Sequence, residues 1–281
     1  MKEKPTYRQL LEEFLPNKSS PLYKDNAEYA FTAIERGNLI ADIVEKYTPV
    51  RGSKVLDLGC GEGGVAIAFA LRGAEATALD ISEGRIERMK VWASEHNVSV
   101  NGVIADALEI GLPSGQFDIV ICNDLMEHVS QPQELAYEIY RLLKEHGYVY
   151  LSVPNKLAIF SFFRDSHLNL FGITWMPRWL AKIYAVKIRR RTTTYTVFVI
   201  PTHRYLKRIF SKARIELMSV FTEDPAEKIV NPYLMNPGPK RRALMAAKKL
   251  GLTGLALRLL DSGFKQFFLD TITYVGKKKD G

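Results

Sequence analysis

Residues 55–64 read VLDLGCGEGG. A short apolar run, Lys54–Leu58, meets a glycine-rich turn, and the small-residue stretch VAIAFALRG continues from it as a helix. Glycines at a strand-to-helix turn let the backbone approach a ligand closely, and the helix N-terminus offers N–H groups that lack partners. Gly59, Gly61 and Gly64 also satisfy G-x-G-x-x-G, so on spacing alone a dinucleotide-binding dehydrogenase competes. Asp57 separates the readings. A carboxylate two residues before the first glycine repels a pyrophosphate and suits a ligand that carries an ammonium group.

Outward from this turn the pattern repeats. Ala76–Leu79 predicts a second strand ending at Asp80, where a carboxylate can accept hydrogen bonds from ribose hydroxyls. Ser82 is the expected N-cap of a helix over 83–96, with Arg85, Arg88 and Lys90 on its exposed side. Val100–Ile104, Phe117–Cys122 and Gly147–Val153 predict three more strands, with a helix from about Gln131 to Glu145 between the last two. Residues 1–50 read as helical, notably LLEEF at 10–14 and a run from Ala27 to Tyr47. Residues 202–212 predict a helix, Arg214–Phe221 a sixth strand and Phe267–Val275 a last one.

Short apolar strands alternating with longer helices indicate an α/β fold: a Rossmann-like, seven-stranded, mostly parallel sheet with helices on both faces. Insertions are expected to add a helical cap. The division expected is an N-terminal helical segment at 1–50, the core at 51–155 and a substrate-cap insertion at 156–200. Residues 201–221 and 267–281 complete the sheet, and 222–266 form a second helical insertion.

The stretch from Val55 to Asn155 resembles the class I methyltransferases that use S-adenosylmethionine (SAM), above all the small-molecule branch that includes ubiquinone-biosynthesis O-methyltransferases. The motifs carrying the resemblance are VLDLGCGEGG, ALDIS (78–82), ADA (105–107), FDIVICNDLMEHV (117–129) and LLKEHGYVYLSVPN (142–155). It implies that Asp57, Gly59, Cys60, Gly61 and Gly63 hold the amino-acid portion of SAM. Asp80, with Ile81 beside it, would hold the ribose. Asp106 would hydrogen-bond the adenine amine, Ala107 would supply an N–H, and Asn123 would close the pocket.

Asp124-Leu125-Met126-Glu127-His128 follows the fourth strand, at the sheet edge where ligands bind in open α/β folds. A neutral His128 can take the acceptor's proton, and Glu127 is the second catalytic candidate. In relatives that act on catechol-like substrates such a turn holds a divalent metal, so the resemblance raises Mg with Asp124, Glu127 and His128 as ligands. The competing reading is that His128 only caps or orients the next helix, with no metal.

The insertion RDSHLNLFGITWMPRWLAKIYAVKIRRR, 164–191, interleaves aromatic and apolar residues with Arg and Lys. A segment there covers the acceptor pocket in this fold, and Trp or Tyr beside cations also suits a membrane interface. The plainer reading is that both insertions form a helical cap whose aromatics are core. His167 and His203 are substrate-contact candidates that can equally be structural.

The chain has 281 residues and a net charge of +8, with cations clustered at 187–191, 240–242, 248–249 and 277–279. Such a field favours an anionic partner, with Arg189–Arg191 a candidate phosphate site, or simply solubilises the surface. Two cysteines, Cys60 and Cys122, give neither a disulfide framework nor a CxxC metal pair. The charged start lacks a signal-peptide core, and no apolar run reaches 18 residues. The expected setting is cytoplasmic, with peripheral membrane contact through 168–186 as a further reading.

The expected function is methyl transfer from SAM to an oxygen or nitrogen of a small-molecule or lipid- or glycan-linked acceptor. An RNA methyltransferase, prompted by a sequence pI near 9.3, and a non-catalytic SAM-binding partner protein are the alternatives. Against RNA, the fourth motif lacks the N/D-P-P-Y/F type and no nucleic-acid module is appended, and DNA is not an expected partner. The acceptor's identity and the oligomeric state are not readable.

Overall fold

A computed structural model describes residues 5–15, 23–158, 165, 168, 170–220, 239–255 and 271–279. Three helices come first: α1 (Tyr7–Phe14), α2 (Tyr23–Phe31) and α3 (Ala33–Val44). Thr6 and Gln9 close a capping box at the start of α1, each side chain bonding the other's backbone N–H. The alternating core follows as β1 (Lys54–Leu58), α4 (Gly64–Leu71), β2 (Glu75–Asp80), α5 (Glu83–Glu95), β3 (Asn101–Ile104), β4 (Phe117–Asn123), α6 (Pro132–Leu142) and β5 (Leu143–Pro154). Beyond it lie α7 (Arg178–Lys182), continued by a π-helical turn at Ile183–Ile188, then α8 (His203–Lys212), β6 (Ile215–Ser219), α9 (Pro239–Lys249) and β7 (Thr271–Lys278).

The seven strands form one sheet in the order β3-β2-β1-β4-β5-β7-β6. β1 to β5 run parallel to one another, whereas β7 is antiparallel to both β5 and β6. The chain winds outward from β1 to β3 and then restarts at β4 on the other side. The point of reversal lies between β1 and β4, and a crevice opens there above the carboxyl ends of the strands.

Both faces of the sheet are covered, which explains apolar runs without polar alternation. Val120 and Cys122 of β4 pack with Leu135, Ile139, Leu206 and Phe210 of α6 and α8. The alternate residues Ile119 and Ile121 pack with Ile40, Val44, Val65 and Phe69 of α3 and α4. The outer flank seats α1 on α5, where Tyr7 stacks on Trp92 with ring centroids 4.1 Å apart.

Three local expectations are corrected. β5 begins at Leu143, four residues before Gly147, because α6 stops at Leu142 and the strand absorbs the excess as a bulge between the pairs Phe117–Leu143 and Ile119–Tyr148. Ser82 occupies the N-cap position of α5, but its side chain makes no capping bond. Its N–H instead donates to Asp80 Oδ1 at 2.9 Å. Arg88 is buried, held by two 2.8 Å hydrogen bonds to the Glu62 carboxylate and covered by the Phe14 ring at 4.0 Å. The expected helix at 202–212, the sixth strand and a helix from about residue 240 are all present; residues 221–238 and 256–270 lie outside the described residues.

Candidate functional site

The crevice is built on the turn at Gly59–Gly63. The N–H groups of Gly59 and Cys60 donate to the Leu79 carbonyl at 2.8 and 2.9 Å, which pins the turn to the end of β2. Gly63 caps α4 with φ of 78°, and a Cβ there would lie 2.1 Å from Met89 Cγ. Only glycine combines that left-handed backbone with that approach. A Cβ on Gly61 would meet nothing within 4 Å, so the turn borders open space there.

Two buried carboxylates flank it. Asp57, 3% exposed, accepts a hydrogen bond from the Ala66 N–H at 3.1 Å. Burial pushes its pKa up to about 7; the Ala66 bond and the Arg36 charge oppose this, and neighbouring Asp80 adds to it. Asp80, 4% exposed, accepts from Gly61 N–H at 3.0 Å and from Ser82 N–H, with the Arg85 guanidinium 3.4 Å away. Ile81 and Ile104, at the ends of β2 and β3, are both exposed, and Asp106 lies two residues past Ile104 with Oδ1 accepting from Leu108 N–H. Ala107 is buried. Asn123, at the end of β4, donates to Asp124 Oδ2 at 3.1 Å.

Arg36, on α3, belongs to the same crevice and is missed by reading motifs. Its guanidinium lies 3.7 Å from the Tyr29 ring centroid, its Nη2 donates to the Tyr29 carbonyl, and its charge is felt at Asp57. Its Nε is buried without a hydrogen-bond partner among the described residues. The available signal was helical spacing: Arg36 sits beside the buried positions Ala33, Gly37, Ile40 and Ala41. Tyr29 on α2 donates its hydroxyl to Asp124 Oδ2 at 2.8 Å, tying the N-terminal helices to the turn after β4.

That turn carries the two catalytic candidates. The Glu127 side chain is wholly buried, and its carboxylate lies 4.0 Å from His128 Nε2. His128 Nδ1 lies 3.4 Å from the Thr196 carbonyl. The Glu127 carbonyl accepts from Phe198 N–H at 2.7 Å, so the segment around 196–199 is laced to the turn. The proposed metal ligands do not form a metal site. Asp124 Oδ2 already receives the Tyr29 hydroxyl and the Asn123 amide, and no group of three His, Cys, Asp or Glu side chains among the described residues converges to hold an ion. A Mg site is therefore not supported among the described residues.

His203 heads α8 and bonds the Tyr274 hydroxyl at 2.8 Å, with burial lowering its pKa. His167 lies outside the described residues. Burial pushes the thiols of both Cys60 and Cys122 well up, which leaves them as unreactive neutral groups. Arg189, Arg190 and Arg191 follow the π-helical turn and line no cavity described here.

A doubly wound sheet with an acid-flanked glycine turn at its switch point defines a nucleotide-cofactor domain of the class I methyltransferase type. Comparison with known proteins bears on this directly. Residues 56–151 match the family described as a methyltransferase domain. The chain is 36% identical over 115 residues to the ubiquinone biosynthesis O-methyltransferase of Azotobacter vinelandii, an alignment covering 40% of this chain and 49% of that protein. With the protein of the same name from Azoarcus sp. it shares 28% identity over 214 residues, 75% of this chain and 84% of that one. The chain spans about half the length of the curated relatives to which it has the higher identities. In fold it matches magnesium protoporphyrin IX methyltransferase from Synechocystis PCC 6803, a structure with bound SAH, the demethylated product of SAM. That match has a TM-score of 0.55 and 15% identity, and covers 96% of this chain and 93% of the other. Residues 56–151 thus match a methyltransferase domain and lie on a fold shared with that SAH-bound enzyme.

Proposed function

We propose that this chain moves a methyl group from SAM to an oxygen or nitrogen of a small-molecule or lipid- or glycan-linked acceptor. The observation that carries the proposal is the pair of buried carboxylates, Asp57 and Asp80, on either side of a bare glycine turn. Asp57 receives the ammonium of the amino-acid portion, and a pyrophosphate at the same place would be repelled. The guanidinium of Arg36 pairs the carboxylate of that portion. Asp80 accepts from the ribose hydroxyls, with Gly59, Cys60, Gly61 and Gly63 forming the backbone cradle. The exposed Ile81 gives the adenine an apolar face, Asp106 and Ala107 bond its edge, and Asn123 closes the pocket.

Bound SAM would supply an electrophilic methyl carbon, which the acceptor atom attacks in line as the carbon–sulfur bond breaks and SAH leaves. His128 takes the proton that the acceptor loses, and the buried Glu127 carboxylate beside it stabilises the imidazolium that forms. The curated relatives named above are O-methyltransferases, which favours oxygen as the acceptor atom.

Calorimetric titration with SAM and SAH tests the cofactor assignment, and transfer of labelled methyl to an acceptor panel tests the rest. Asp80→Ala should weaken SAM binding about a hundredfold, because each lost charge-assisted hydrogen bond is worth ~1.5–3 kcal/mol. His128→Ala should leave SAM affinity intact and lower kcat about a hundredfold. A folded wild type that ignores both SAM and SAH would overturn the proposal.

The cap adds a surface. Trp175, Trp179 and Ile183 recur every fourth residue, all exposed (66% at Trp179), with Lys182, Lys187, Arg189 and Arg190 exposed beside them. Aromatic and cationic residues side by side favour the interface of an anionic bilayer, so the lipid-linked acceptor and peripheral contact belong to this reading. Among the described residues no helix is long and apolar enough to cross a membrane. The protein should sediment with phosphatidylglycerol vesicles at low salt and stay in solution after Trp179→Ser with Ile183→Ser. Indifference of the wild type to those vesicles would remove the membrane contact.

A further inference from the structure

A half-open cavity of about 180 Å³ lies in the cap, between the segment leaving β5, the 3-10 turn at 173–175 and the stretch 195–200. Apolar protein cavities of roughly 150 Å³ hold a benzene ring, so the space suits one substituted ring. Its wall is the segment bonded to the catalytic turn: Phe198 N–H donates to the Glu127 carbonyl, and Thr196, between two lining residues, faces His128. Lys156, one residue past Asn155, ties the opposite side through its N–H to the Pro201 carbonyl. One wall of the cavity is therefore bonded directly to the turn that carries the candidate base.

Its lining is divided by chemistry. Ile173 and Val197 are buried and apolar, whereas Lys156 and Arg178 are exposed and cationic. Among the described residues no carboxylate lines it. Arg178 is fixed in place: its Nε donates to the Val197 carbonyl at 3.2 Å and its guanidinium lies 4.1 Å from the Phe198 ring centroid. Among the described residues its Nη groups, which only donate, make no hydrogen bond and can meet a ligand. The Tyr195 hydroxyl, its pKa pushed up to about 12 by burial and by the charge of Asp165 against the smaller opposing effect of Arg178, stays protonated and acts as a donor.

We propose that this cavity binds the acceptor, and that the acceptor is a ring-sized molecule carrying a carboxylate or phosphate. Its ring lies on Ile173 and Val197, and its anionic group meets Lys156 and Arg178. The anion contact thus falls at the cavity rather than at Arg189–Arg191. The assignment rests on the methyltransferase reading for its role, but its binding is measurable without it.

The experiment is ligand-observed NMR titration of the full chain with benzoate, phenyl phosphate, neutral benzamide and inorganic phosphate, with SAH binding followed in parallel. Benzoate and phenyl phosphate should both bind, and benzamide at least about tenfold more weakly, as expected for loss of one charge-assisted contact. Lys156→Met and Arg178→Met, both changes at exposed positions, should each weaken the two anions about tenfold and leave SAH affinity unchanged. Val197→Phe fills the floor and should abolish ring binding, again with SAH binding retained. Benzamide binding as tightly as benzoate, inorganic phosphate binding as tightly as phenyl phosphate, or anion binding untouched by both cation variants would each overturn the proposal. Absence of SAH binding with intact benzoate binding would instead reject the cofactor reading and leave this site standing.

Discussion

Asp57→Asn is expected to weaken SAM binding about a hundredfold and, at pH 8, to raise the melting temperature. The two effects share one cause. An aspartate in the unfolded chain titrates near 3.9, whereas burial holds Asp57 up to about 7 in the fold. The folded state therefore binds a proton that the unfolded state has lost, so the stability associated with this group is present below about pH 4 and disappears as pH rises through 7. At pH 8 the wild type carries a buried carboxylate that costs up to a few kcal/mol. Asparagine keeps the shape and the acceptor for the Ala66 N–H and removes the charge. It also removes the partner of the ligand's ammonium, which should weaken SAM about a hundredfold. The gap should shrink as pH falls and close near pH 4, where Asp57 is protonated in the folded and largely in the unfolded chain. In the wild type, SAM affinity should fall about tenfold between pH 8 and pH 6, because the carboxylate form falls in that proportion. A variant that binds SAM normally, or that melts earlier than wild type at pH 8, would show that Asp57 does not play this part.

The largest loss of stability is expected from Gly37→Val. Helices α3 and α4 cross so closely that a Cβ on Gly37 would sit 2.6 Å from Ala68 Cβ and 2.9 Å from Val65 Cα. Backbone cannot yield as a flexible side chain does, so α3 must lift from α4. Overpacking of this kind costs about 3 kcal/mol or more, roughly 10 °C in melting temperature for a domain of this size. Arg36 precedes Gly37 and moves with it, so SAM affinity should fall as well. Gly37→Ala should cost less, and adding Ala68→Gly should restore part of it, a coupling that a double-mutant cycle measures. Wild-type melting of Gly37→Val would mean that the two helices are not in contact at this position.

What the sequence reveals depends on how far apart the partners are along the chain. The glycine turn and the acids that end β1, β2 and β3 lie next to the strands that present them, so local pattern suffices to place Asp57, Asp80 and Asp106. Arg88 was expected at the surface because its partners, Glu62 and Phe14, come from a loop and a helix far from α5 in sequence. Arg36 and Tyr29 were illegible for the same reason: their relation to Asp57 and Asp124 exists only after α2 and α3 have packed. The metal suggestion at Asp124 finds no support among the described residues, where no three such side chains converge, and the tyrosine that does reach this carboxylate stands 95 positions away. The cap cavity has no motif, being assembled from Lys156 and residues 173–200.

The place of β7 has a consequence in time. It lies between β5 and β6 and bonds to both, yet more than a hundred residues separate it from β5 in the chain. Ribosomes add roughly 5–20 residues per second, so about ten seconds pass between synthesis of β5 and arrival of its partner. Throughout that interval the row of N–H and C=O groups on β5 that later faces β7 is an open edge, the feature on which strands of other chains add. Closing so long a loop is also entropically slow. The nascent protein can gather its cofactor crevice from β1, β2 and β4 well before its sheet is whole, and a cell must shelter that edge until the final strand slots in.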